Sequence, residues 1–285
     1  MLNYFLVVAR EQNMTRAAAE LHISQPALSA QIAELERQLG IKLFKRTNKS
    51  TLLTEDGILF RARAQEMVDL SNKIEAEFTS GEGDISGDIY LGCGETYIMS
   101  HISAVFRDIQ KEHPGVHLHI YSGDAEAVRE RLDKGLLDMG LLLGPYFHEK
   151  YDYMRLGMCD RYGLLVPGDC PLSEKESISM IDLENFPLLL PAQMASDSQN
   201  LGDFDAHGLH AVGSYNLITN ATYMVEQGIG YALCLADLVN TEGRNLKFLP
   251  LEEDVKIEAY IVTKKYAYFS KAAKLLLNRL KEQLN

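Results

Sequence analysis

Two helix starts lie close together in the stretch TRAAAELHISQPALSAQI (15–32), and this feature most constrains the fold. Thr15 is the predicted N-cap of a short Ala-rich helix, RAAAEL, whose small side chains let another helix approach closely. Ser24 is the predicted cap of the next helix, with Pro26 in its first turn, where a missing N–H costs little. Only three residues separate the two helices, which predicts a helix-turn-helix.

Apolar residues recur at helical spacing on both sides of this turn. A preceding helix is predicted from four apolar residues at i, i+3, i+4 and i+7: Leu2, Phe5, Leu6 and Ala9. The helix that Ser24 begins has a predicted core stripe of four residues: Leu28, Ile32, Leu35 and Leu39. Gly40 is its predicted end, because glycine readily adopts the left-handed conformation there.

The other face of the Ser24 helix carries Gln25, Ser29 and Gln31, which are short, neutral donors and acceptors. Near a helix N-terminus, such side chains can enter a major groove and meet phosphates or base edges. An ordinary capped surface helix would explain the cap and the stripe, but not the short helix before it. We therefore predict a DNA contact set in this motif: Thr15, Ser24, Gln25, Pro26, Ser29 and Gln31.

The segment LFKRTNKSTLLT (43–54) alternates apolar and polar residues around Thr47-Asn48-Lys49-Ser50, which predicts a small hairpin. Lys45, Arg46 and Lys49 cluster at its tip. Such a wing can grip phosphate or enter a minor groove, so these three cations join the predicted DNA contacts. A solvated hairpin is the alternative.

The formal net charge is −12, but it is distributed unevenly. Residues 1–54 contain seven Lys or Arg and four Glu, a net +3; residues 55–78 carry −3 and residues 79–285 carry −12. Because the Debye length is about 8 Å at physiological salt, a distant acidic domain hardly cancels a local basic face. The net charge therefore does not exclude DNA as a partner.

Residues 4–57 resemble the winged helix-turn-helix of LysR-type transcriptional regulators, through YFLVVA, TRAAAELHISQPALSAQI, LE at 35–36, LG at 39–40, LFKR and LTEDG. The resemblance implies a DNA-binding regulator with a long linker helix and a periplasmic-binding-protein-like effector domain, usually tetrameric.

The sequence departs from the family pattern at two places. The chain begins a few residues late, which implies a shortened first helix or a misassigned start codon. Ala30 replaces a common basic side chain, which implies one DNA contact fewer.

Residues 55–78 form one uninterrupted helical pattern with an apolar stripe three or four residues apart: Phe60, Ala64, Met67, Leu70, Ile74 and Phe78. Packing against its own domain is one interpretation. The other is pairing with the same helix of a second copy, a two-helix seam that would hold two DNA-binding domains one DNA turn apart. The resemblance also implies this dimer. The predicted organisation is a DNA-binding domain (1–54), a linker and dimerisation helix (55–80), a hinge at GEGDISG (81–87) and an effector domain (88–285).

The effector domain is predicted to be α/β. DIYLGCG and VHLHIYSG are predicted strands, and the segment between them is a helix that stops at Pro114, giving a βαβ unit. AEAVRERLDKG leading into LDMGLLLG and ITNATYMVEQGIG leading into YALCL predict paired subdomains. Subdomain I is placed at 88–161 plus 265–285 and subdomain II at 162–264. The fold class is thus α/β with an α-dominated N-terminal domain.

Ligands in such folds meet the carboxyl ends of strands and the N-termini of helices. This rule selects eight candidate effector contacts: Glu95, Thr96, Tyr97, Gly144, Ser196, Ser198, Asn216 and Thr219. The family often places Ser or Thr at the position of Thr96 to bind an effector oxygen, which favours Thr96. Each residue is equally explained as a helix cap. Glu95 would repel an acidic metabolite, which favours a cationic, zwitterionic or neutral effector.

The sequence gives less support to an enzymatic function than to a regulator. Gly92-Cys93-Gly94 follows a strand, but Tyr97 occupies the third glycine position of a dinucleotide fingerprint, and the sequence has no P-loop. Three histidines, His113, His117 and His119, suggest a metal site, but His117 and His119 lie on one face of a predicted strand with no nearby acid or thiol at ligand spacing. Packing or surface roles are therefore favoured over metal binding. Cys159 and Cys170 bracket DRYGLLVPGD and suggest a thiol redox switch, as in the peroxide-sensing branch of the family.

Composition completes the prediction. No apolar run reaches the ~18 residues of a membrane span, the N-terminus turns polar too soon for a signal peptide, and the four cysteines are scattered. We expect a cytoplasmic, non-enzymatic regulator without cofactor or metal. Its predicted partners are operator DNA, a small-molecule effector and further copies of itself, as homodimer or homotetramer. A solute-binding or catalytic α/β protein is the alternative.

Overall fold

The chain forms two compact units, Met1–Thr79 and Ser80–Asn285. The computed structural model describes five stretches of the sequence: residues 1–46, 50–79, 85–144, 148–195 and 209–283. No helix among these residues is long and apolar enough to cross a membrane.

The N-terminal unit contains helices and one two-stranded hairpin. Its elements are α1 (Leu2–Glu11), α2 (Met14–Glu20), α3 (Gln25–Leu39), β1 (Phe44–Arg46), β2 (Thr51–Leu53) and α4 (Glu55–Thr79). β1 pairs antiparallel with β2, with Phe44 opposite Leu53 and Arg46 opposite Thr51. The alternation of apolar and polar residues therefore predicted the hairpin pairing correctly.

The start of α2 differs from the prediction. The side-chain oxygen of Asn13 accepts hydrogen bonds from the backbone N–H groups of Thr15 (2.9 Å) and Arg16 (3.0 Å), while its backbone is extended. Asn13 is therefore the N-cap, and the prediction of Thr15 in that role is wrong. Asparagine outranks threonine as a cap because its carbonyl oxygen reaches the first free amides more readily.

The limits of α3 are those predicted from its caps. Ser24 Oγ accepts a hydrogen bond from the Ala27 N–H at 3.3 Å, and Gly40 ends the helix with a φ of 70°. Three of the four predicted stripe residues are buried: Leu28, Ile32 and Leu35. The fourth, Leu39, is 42% exposed, so that part of the prediction is wrong; the inward position at this end of the helix is taken by Glu36, which is 7% exposed.

The first turns of α4 pack tightly on the hairpin. The Thr54 hydroxyl donates to the carbonyl of Lys42 at 2.6 Å and accepts from the Gly57 N–H at 3.0 Å. A Cβ at position 57 would lie 2.1 Å from the Leu43 carbonyl oxygen, so only glycine fits there.

The apolar stripe of α4 divides into two parts. Phe60 packs edge-on against Phe5, with ring centroids 4.9 Å apart, and Ala64 is 1% exposed in the same core. The prediction that Ala64 belongs to an intermolecular seam is therefore wrong, because its own domain covers it, whereas Phe60 is only partly buried by that domain. Met67 (61%), Leu70 (36%) and Ile74 (48%) are exposed on the described surface of this unit. The side chain of Phe78 lies outside the described residues.

The C-terminal unit is α/β. Its elements are β3 (Gly87–Cys93), α5 (Met99–Glu112), β4 (Val116–Ser122), α6 (Ala125–Asp133), β5 (Met139–Leu143), β6 (Tyr151–Pro167), β7 (Leu188–Pro191), α7 (Ala192–Ala195), β8 (Ala211–Tyr215), α8 (Ile218–Glu226), β9 (Tyr231–Leu235), β10 (Leu246–Pro250), β11 (Lys256–Lys264) and α9 (Lys271–Glu282). β3 lies parallel to β4 and β5, as the predicted βαβ unit requires.

The strands of this unit follow the order β4-β3-β5-β11-β6-β9-β7-β8, and β10 pairs with β6. Among the described residues, four apolar clusters lie along this sheet, and the two largest form the main cores of the two lobes. The core of the first lobe contains Ile89, Ile102 and Leu276, and that of the second lobe contains Leu164, Leu188 and Leu249. The antiparallel strands β6 and β11 contribute to both cores, so they connect the two lobes.

The return of the chain to the first lobe comes earlier than 265. Ala259 and Ile261 of β11 pack in the first core, whereas Ile257 packs in the second. Ala259 and Ile261 also pair with Leu143 and Leu141 of β5. We therefore propose that the lobe boundary lies near Glu258 instead of after residue 264.

Candidate nucleic-acid interface and ligand cleft

The first two turns of α3 carry small, neutral side chains on their exposed surface. At about 100° per residue, Gln25 and Ser29 lie about 40° apart and flank the buried stripe, and both are half-buried. Pro26 and Ala30 lie opposite the stripe and are exposed. Gln31 is also exposed, but it lies on the other flank, about 160° from Ser29. The structure thus brings Gln25 and Ser29 together and separates Gln31 from them.

Two other predicted contacts of this motif have defined positions. Thr15 is exposed in the first turn of α2. Ser24 is exposed, and its hydroxyl caps α3. Both can meet phosphate from a helix N-terminus, where free amides favour an anion.

The predicted basic wing is described only in part. Lys45 is exposed on β1, opposite Leu52 of β2. Arg46 is the last residue of β1, but its side chain lies outside the described residues, as does the whole of Lys49. Lys45 is therefore the cation for which the structure gives a surface position.

Glu36 fixes the hairpin to α3. Its Oε1 accepts hydrogen bonds from the backbone N–H groups of Leu43 (2.9 Å) and Phe44 (3.1 Å), and its Oε2 pairs with Lys42 Nζ at 2.6 Å. Burial raises the pKa of Glu36, but the hydrogen bonds from Lys42, Phe44 and Leu43 outweigh it and lower the pKa overall. The Glu36 carboxylate is thus charged, and both of its oxygens have hydrogen-bond partners. These bonds hold the wing (β1 and β2) against the C-terminal end of α3.

A cavity of about 110 Å³ lies between the two lobes of the C-terminal unit. Its walls are mainly apolar, with side chains from both lobes: Leu141, Leu142, Leu143, Leu217, Leu235 and Ile257. Its polar lining includes Glu95, which follows β3, Asp124, which follows β4, and Asn216, which precedes α8. An apolar pocket with a few convergent polar groups is the usual form of a small-molecule site.

Glu95 bridges the lobes. Its Oε2 accepts a hydrogen bond from the backbone N–H of Ile218 at 2.6 Å, at the first residue of α8. Leu217, the N-cap residue, has no polar side chain with which to do so. A carboxylate from the first lobe therefore satisfies a helix N-terminus in the second lobe, where the helix dipole favours a negative charge.

Thr96, the residue favoured by the family resemblance, does not line this cavity. Its side chain is 6% exposed; its hydroxyl donates to Asp160 Oδ2 at 2.5 Å and accepts from the Ile98 N–H at 3.1 Å. Burial raises the pKa of Asp160, as does the negative charge of Asp237, although the bond from Thr96 acts in the opposite direction. In this arrangement the Thr96 hydroxyl is occupied by the protein itself.

The remaining predicted effector contacts are scattered. Tyr97 is 51% exposed beside His101, outside the lining. Gly144 is buried and donates its N–H to the carbonyl of Glu258 at 2.8 Å. Thr219 is exposed, and its carbonyl accepts from the Thr222 hydroxyl. Ser196 and Ser198 lie outside the described residues. Of the six candidates that the structure describes, Glu95 and Asn216 line the cavity.

Asp124, Tyr162 and Tyr215 line the cavity and were missed from the sequence. Asp124 could have been found, because it follows β4 just as Glu95 follows β3, and the rule about carboxyl ends of strands applies to both. Its Oδ1 caps α6 through the Ala127 N–H at 2.8 Å. The same rule applies to Tyr215, which is the last residue of β8, whereas Tyr162 lies within β6 and gives no comparable sequence signal.

The negative charge of Glu95 is felt by buried groups of the cavity. Burial raises the pKa of the Cys234 thiol to about 12, and the charge of Glu95 contributes to this rise. Burial also raises the pKa of Tyr215 well above its usual value, with smaller contributions from Cys234, Tyr162 and Glu95. Both groups therefore stay neutral at physiological pH, and Tyr215 donates its hydroxyl to the Leu233 carbonyl at 2.6 Å.

The described residues contain no group of three or more His, Cys, Asp or Glu placed to hold a metal ion. The sequence had suggested no acid near His119, but Asp88 on the neighbouring strand lies 2.9 Å from its Nε2, and the ring stacks on Tyr90 at 4.9 Å. The acid was missed because strand pairing, and not sequence spacing, brings it close. His119 thus forms a surface pair of the kind that structural histidines make.

The thiol switch suggested for Cys159 and Cys170 does not fit this geometry. Cys159 is exposed within β6, which runs on to Pro167, and Cys170 follows in the next turn. Eight residues of strand span roughly 26 Å, whereas a disulfide needs Cα atoms within about 7 Å. The three residues from Pro167 to Cys170 cannot recover that distance, so the two thiols are too far apart to pair.

A winged helix-turn-helix, a long helix with an exposed apolar stripe and a two-lobed α/β domain with a ligand-sized cleft define a ligand-responsive DNA-binding protein. Comparisons identify the family. The family described as "Bacterial regulatory helix-turn-helix protein, lysR family" matches residues 1–58, and "LysR substrate binding domain" matches residues 82–285. The chain belongs to the LysR family of DNA-binding transcriptional regulators, in which an effector binds the C-terminal domain.

Individual relatives agree with this assignment. YnfL of Escherichia coli K12, an uncharacterized HTH-type transcriptional regulator, is 27% identical over 293 residues, 96% of this chain and 94% of its own. YybE of Bacillus subtilis 168, described in the same words, is 32% identical over 197 residues, covering 66% and 65%. The crystal structure of CbnR, a LysR family transcriptional regulator, has a TM-score of 0.79 at 18% identity, covering 100% and 98%, which shows a shared fold.

Proposed function

We propose that this regulator reads a pseudo-palindromic operator with two copies of its N-terminal domain, each placing α3 in a major groove. The observation that carries the proposal is the small, neutral surface of the first two turns of α3, together with a wing that carries an exposed lysine, Lys45. Neutral side chains such as Gln25 and Ser29 suit base edges, and the cations Lys45, Arg46 and Lys49 suit phosphate. Lys45 would then supply attraction and Gln25 selectivity.

We propose that α4 joins two copies. Leu59 (63%), Met67, Leu70 and Ile74 are exposed and fall within about 80° of one another around the helix. A stripe of this kind on a helix supports pairing with a second helix, because isolated apolar side chains at regular spacing are costly to leave in water. Pairing would set two reading heads at half-site distance, and a tetramer would bring two such pairs together.

We propose that a small effector in the cleft biases this assembly. The cleft joins two lobes, so a ligand that fits one relative arrangement of the lobes better than another shifts the population towards it. The shift in DNA spacing or bend is limited by that difference in affinity. On this proposal the protein has no catalytic turnover and no cofactor, and it acts in the cytoplasm.

The direct test is binding of the purified full chain to the DNA upstream of its own gene, followed by fluorescence anisotropy at two or more salt concentrations. A shuffled sequence of equal length is the matched control. Binding at least about a thousandfold tighter to the upstream DNA than to the shuffled DNA supports an operator-reading regulator. Equal affinity for both at every salt concentration contradicts it, and substrate turnover without DNA binding would favour the alternative of a catalytic or solute-binding protein.

A further inference from the structure

The cleft has an uneven distribution of charge. Glu95 and Asp124 are acidic, and no Lys, Arg or His belongs to the described lining. A carboxylate ligand would therefore find acids in this lining and no arginine or lysine there with which to pair.

A helix N-terminus in the cleft, a place that would attract an anion, is already occupied. The N-terminus of α8 contributes an amide to the cavity wall, and Glu95 Oε2 accepts its hydrogen bond at 2.6 Å. An anionic ligand bound at this helix would have to displace Glu95 and then lie beside the displaced carboxylate. Two like charges in a partly apolar pocket disfavour each other strongly, so such a ligand is selected against.

A cation meets the opposite situation. Among the residues that the structure describes, Glu95 accepts a hydrogen bond from a backbone amide, and no Lys, Arg or His of the described lining is there to pair with its carboxylate. Cys234 also lines the cavity, and the negative charge of Glu95 contributes to the raised pKa of its thiol. The leucine-rich walls would cover an apolar body attached to the cation.

We propose that the effector is a small molecule with a protonated amine on an apolar body, and that Glu95 binds the amine while the leucines of both lobes enclose the body. This assignment rests on the proposed function, in which the cleft is the effector site. It goes further by naming the chemical class of the ligand and the side chain that selects it. Asp124, at the same end of the first lobe, reinforces the negative potential without contacting Glu95 in the described bonds.

The test uses ligands that share a skeleton and differ in head group. 3-Methylbutyl and 2-phenylethyl skeletons are each offered as amine, carboxylate and alcohol, up to about 10 mM, to the full chain, and thermal stabilisation and calorimetric affinity are measured. We expect at least one amine to bind and to raise the Tm, with its carboxylate and alcohol counterparts at least about tenfold weaker. The proposal is wrong if no amine binds, or if a carboxylate or alcohol binds as tightly as its amine.

A charge-neutral variant identifies the selecting group. Glu95→Gln keeps an oxygen that can accept the Ile218 N–H but removes the charge, so amine affinity should fall at least about tenfold while the alcohol is unaffected. Glu176→Gln, at an exposed position outside the lining, is the matched control and should change neither. Equal amine affinity in wild type and Glu95→Gln overturns the assignment. DNA binding of the same samples without ligand is measured separately, so failure of the regulator proposal is distinguished from failure of the amine proposal.

Discussion

The carboxylate of Glu36 lies 2.9 Å from the backbone nitrogen of Leu43, and this bond ties the end of the reading helix to the start of the wing. The two positions are seven residues apart in sequence, and the turn between them contains Gly40 with a left-handed backbone. Burying the Glu36 carboxylate costs desolvation free energy, and the bonds from two backbone amides and Lys42 offset this cost. This one side chain therefore contributes directly to the relative position of α3 and the wing.

Glu36→Gln should destabilise the N-terminal unit by about 1–3 kcal/mol, because the charged hydrogen bonds to Leu43 and Phe44 are lost or weakened. Hydrogen exchange at these two amides in the full chain measures the effect. The folded pKa of Glu36 is lowered, so its contribution is present above the unfolded pKa of about 4.3 and is lost as the pH falls through the folded value. The difference from wild type should accordingly shrink in acid.

Glu34→Gln is the matched control, because Glu34 lies on the same helix and pairs with Arg37 at the surface. Exposed pairs contribute little, so this variant should exchange like wild type at Leu43 and Phe44. Equal protection of these amides in wild type and Glu36→Gln would show that the hydrogen bonds of the Glu36 carboxylate contribute nothing to the stability of the N-terminal unit.

Gln25→Ala should weaken operator binding by about 1–3 kcal/mol if Gln25 reads a base edge, since this is the usual contribution of a bidentate contact. Anisotropy titrations on the operator and on a shuffled duplex measure it, and only the operator affinity should change. Gln38→Ala, at the other end of the same helix, should leave both affinities unchanged. A Gln25→Ala protein with wild-type operator affinity would exclude Gln25 from base reading.

Features encoded locally were predictable, and contacts between distant residues were not. Ser24 and Gly40 act on the amides next to them, so their residue types alone indicate where α3 begins and ends. Thr15 failed because Asn13, two residues earlier, is a stronger cap for the same helix. Local rules thus place an element well and its exact first residue less well.

The ligand cleft shows the same limit on a larger scale. The rule about strand ends selected Glu95 from sequence, but its partner Ile218 is 123 residues away, so the bridge between the lobes could not be foreseen. Thr96 was favoured by the family resemblance, yet Asp160, 64 residues away, takes its hydroxyl. On α4, the periodic stripe was visible, but the sequence did not reveal that Phe5 covers Phe60.

Lys45→Ala should weaken binding to every DNA sequence by a similar factor and reduce the slope of log K against log salt by about 0.9, as expected for one lost phosphate contact. Affinities for operator and shuffled DNA over a salt series give both quantities. Lys150→Ala in the C-terminal unit is a control that should leave the slope unchanged. A loss of affinity confined to the operator would argue for base reading by Lys45 instead.

Leu70→Lys should break self-association through α4. The side chain is 36% exposed in a single chain and lies on the stripe with Met67 and Ile74, so burying an ammonium there in a helix pair would be costly. Sedimentation velocity should show a smaller species and DNA binding should lose its two-site character. Gln65→Lys, exposed on another face of α4, should keep the wild-type mass. An unchanged mass for Leu70→Lys would place the interface elsewhere.

Asp160→Asn should raise the Tm of the C-terminal unit at pH 7. Burial raises the pKa of Asp160, so its folded state is fully favoured below the unfolded pKa of about 3.9 and loses stability as the pH rises through the folded value. An amide carries no such penalty, and its oxygen can still accept the Thr96 hydroxyl. We expect the Tm to rise by about 2–4 °C for each kcal/mol of desolvation cost that the substitution removes, and this rise should disappear towards pH 4.

Asp152→Asn, exposed on the same strand, is the control and should show no comparable change. A lower Tm for Asp160→Asn at pH 7 would mean that the charged carboxylate stabilises the junction of the lobes.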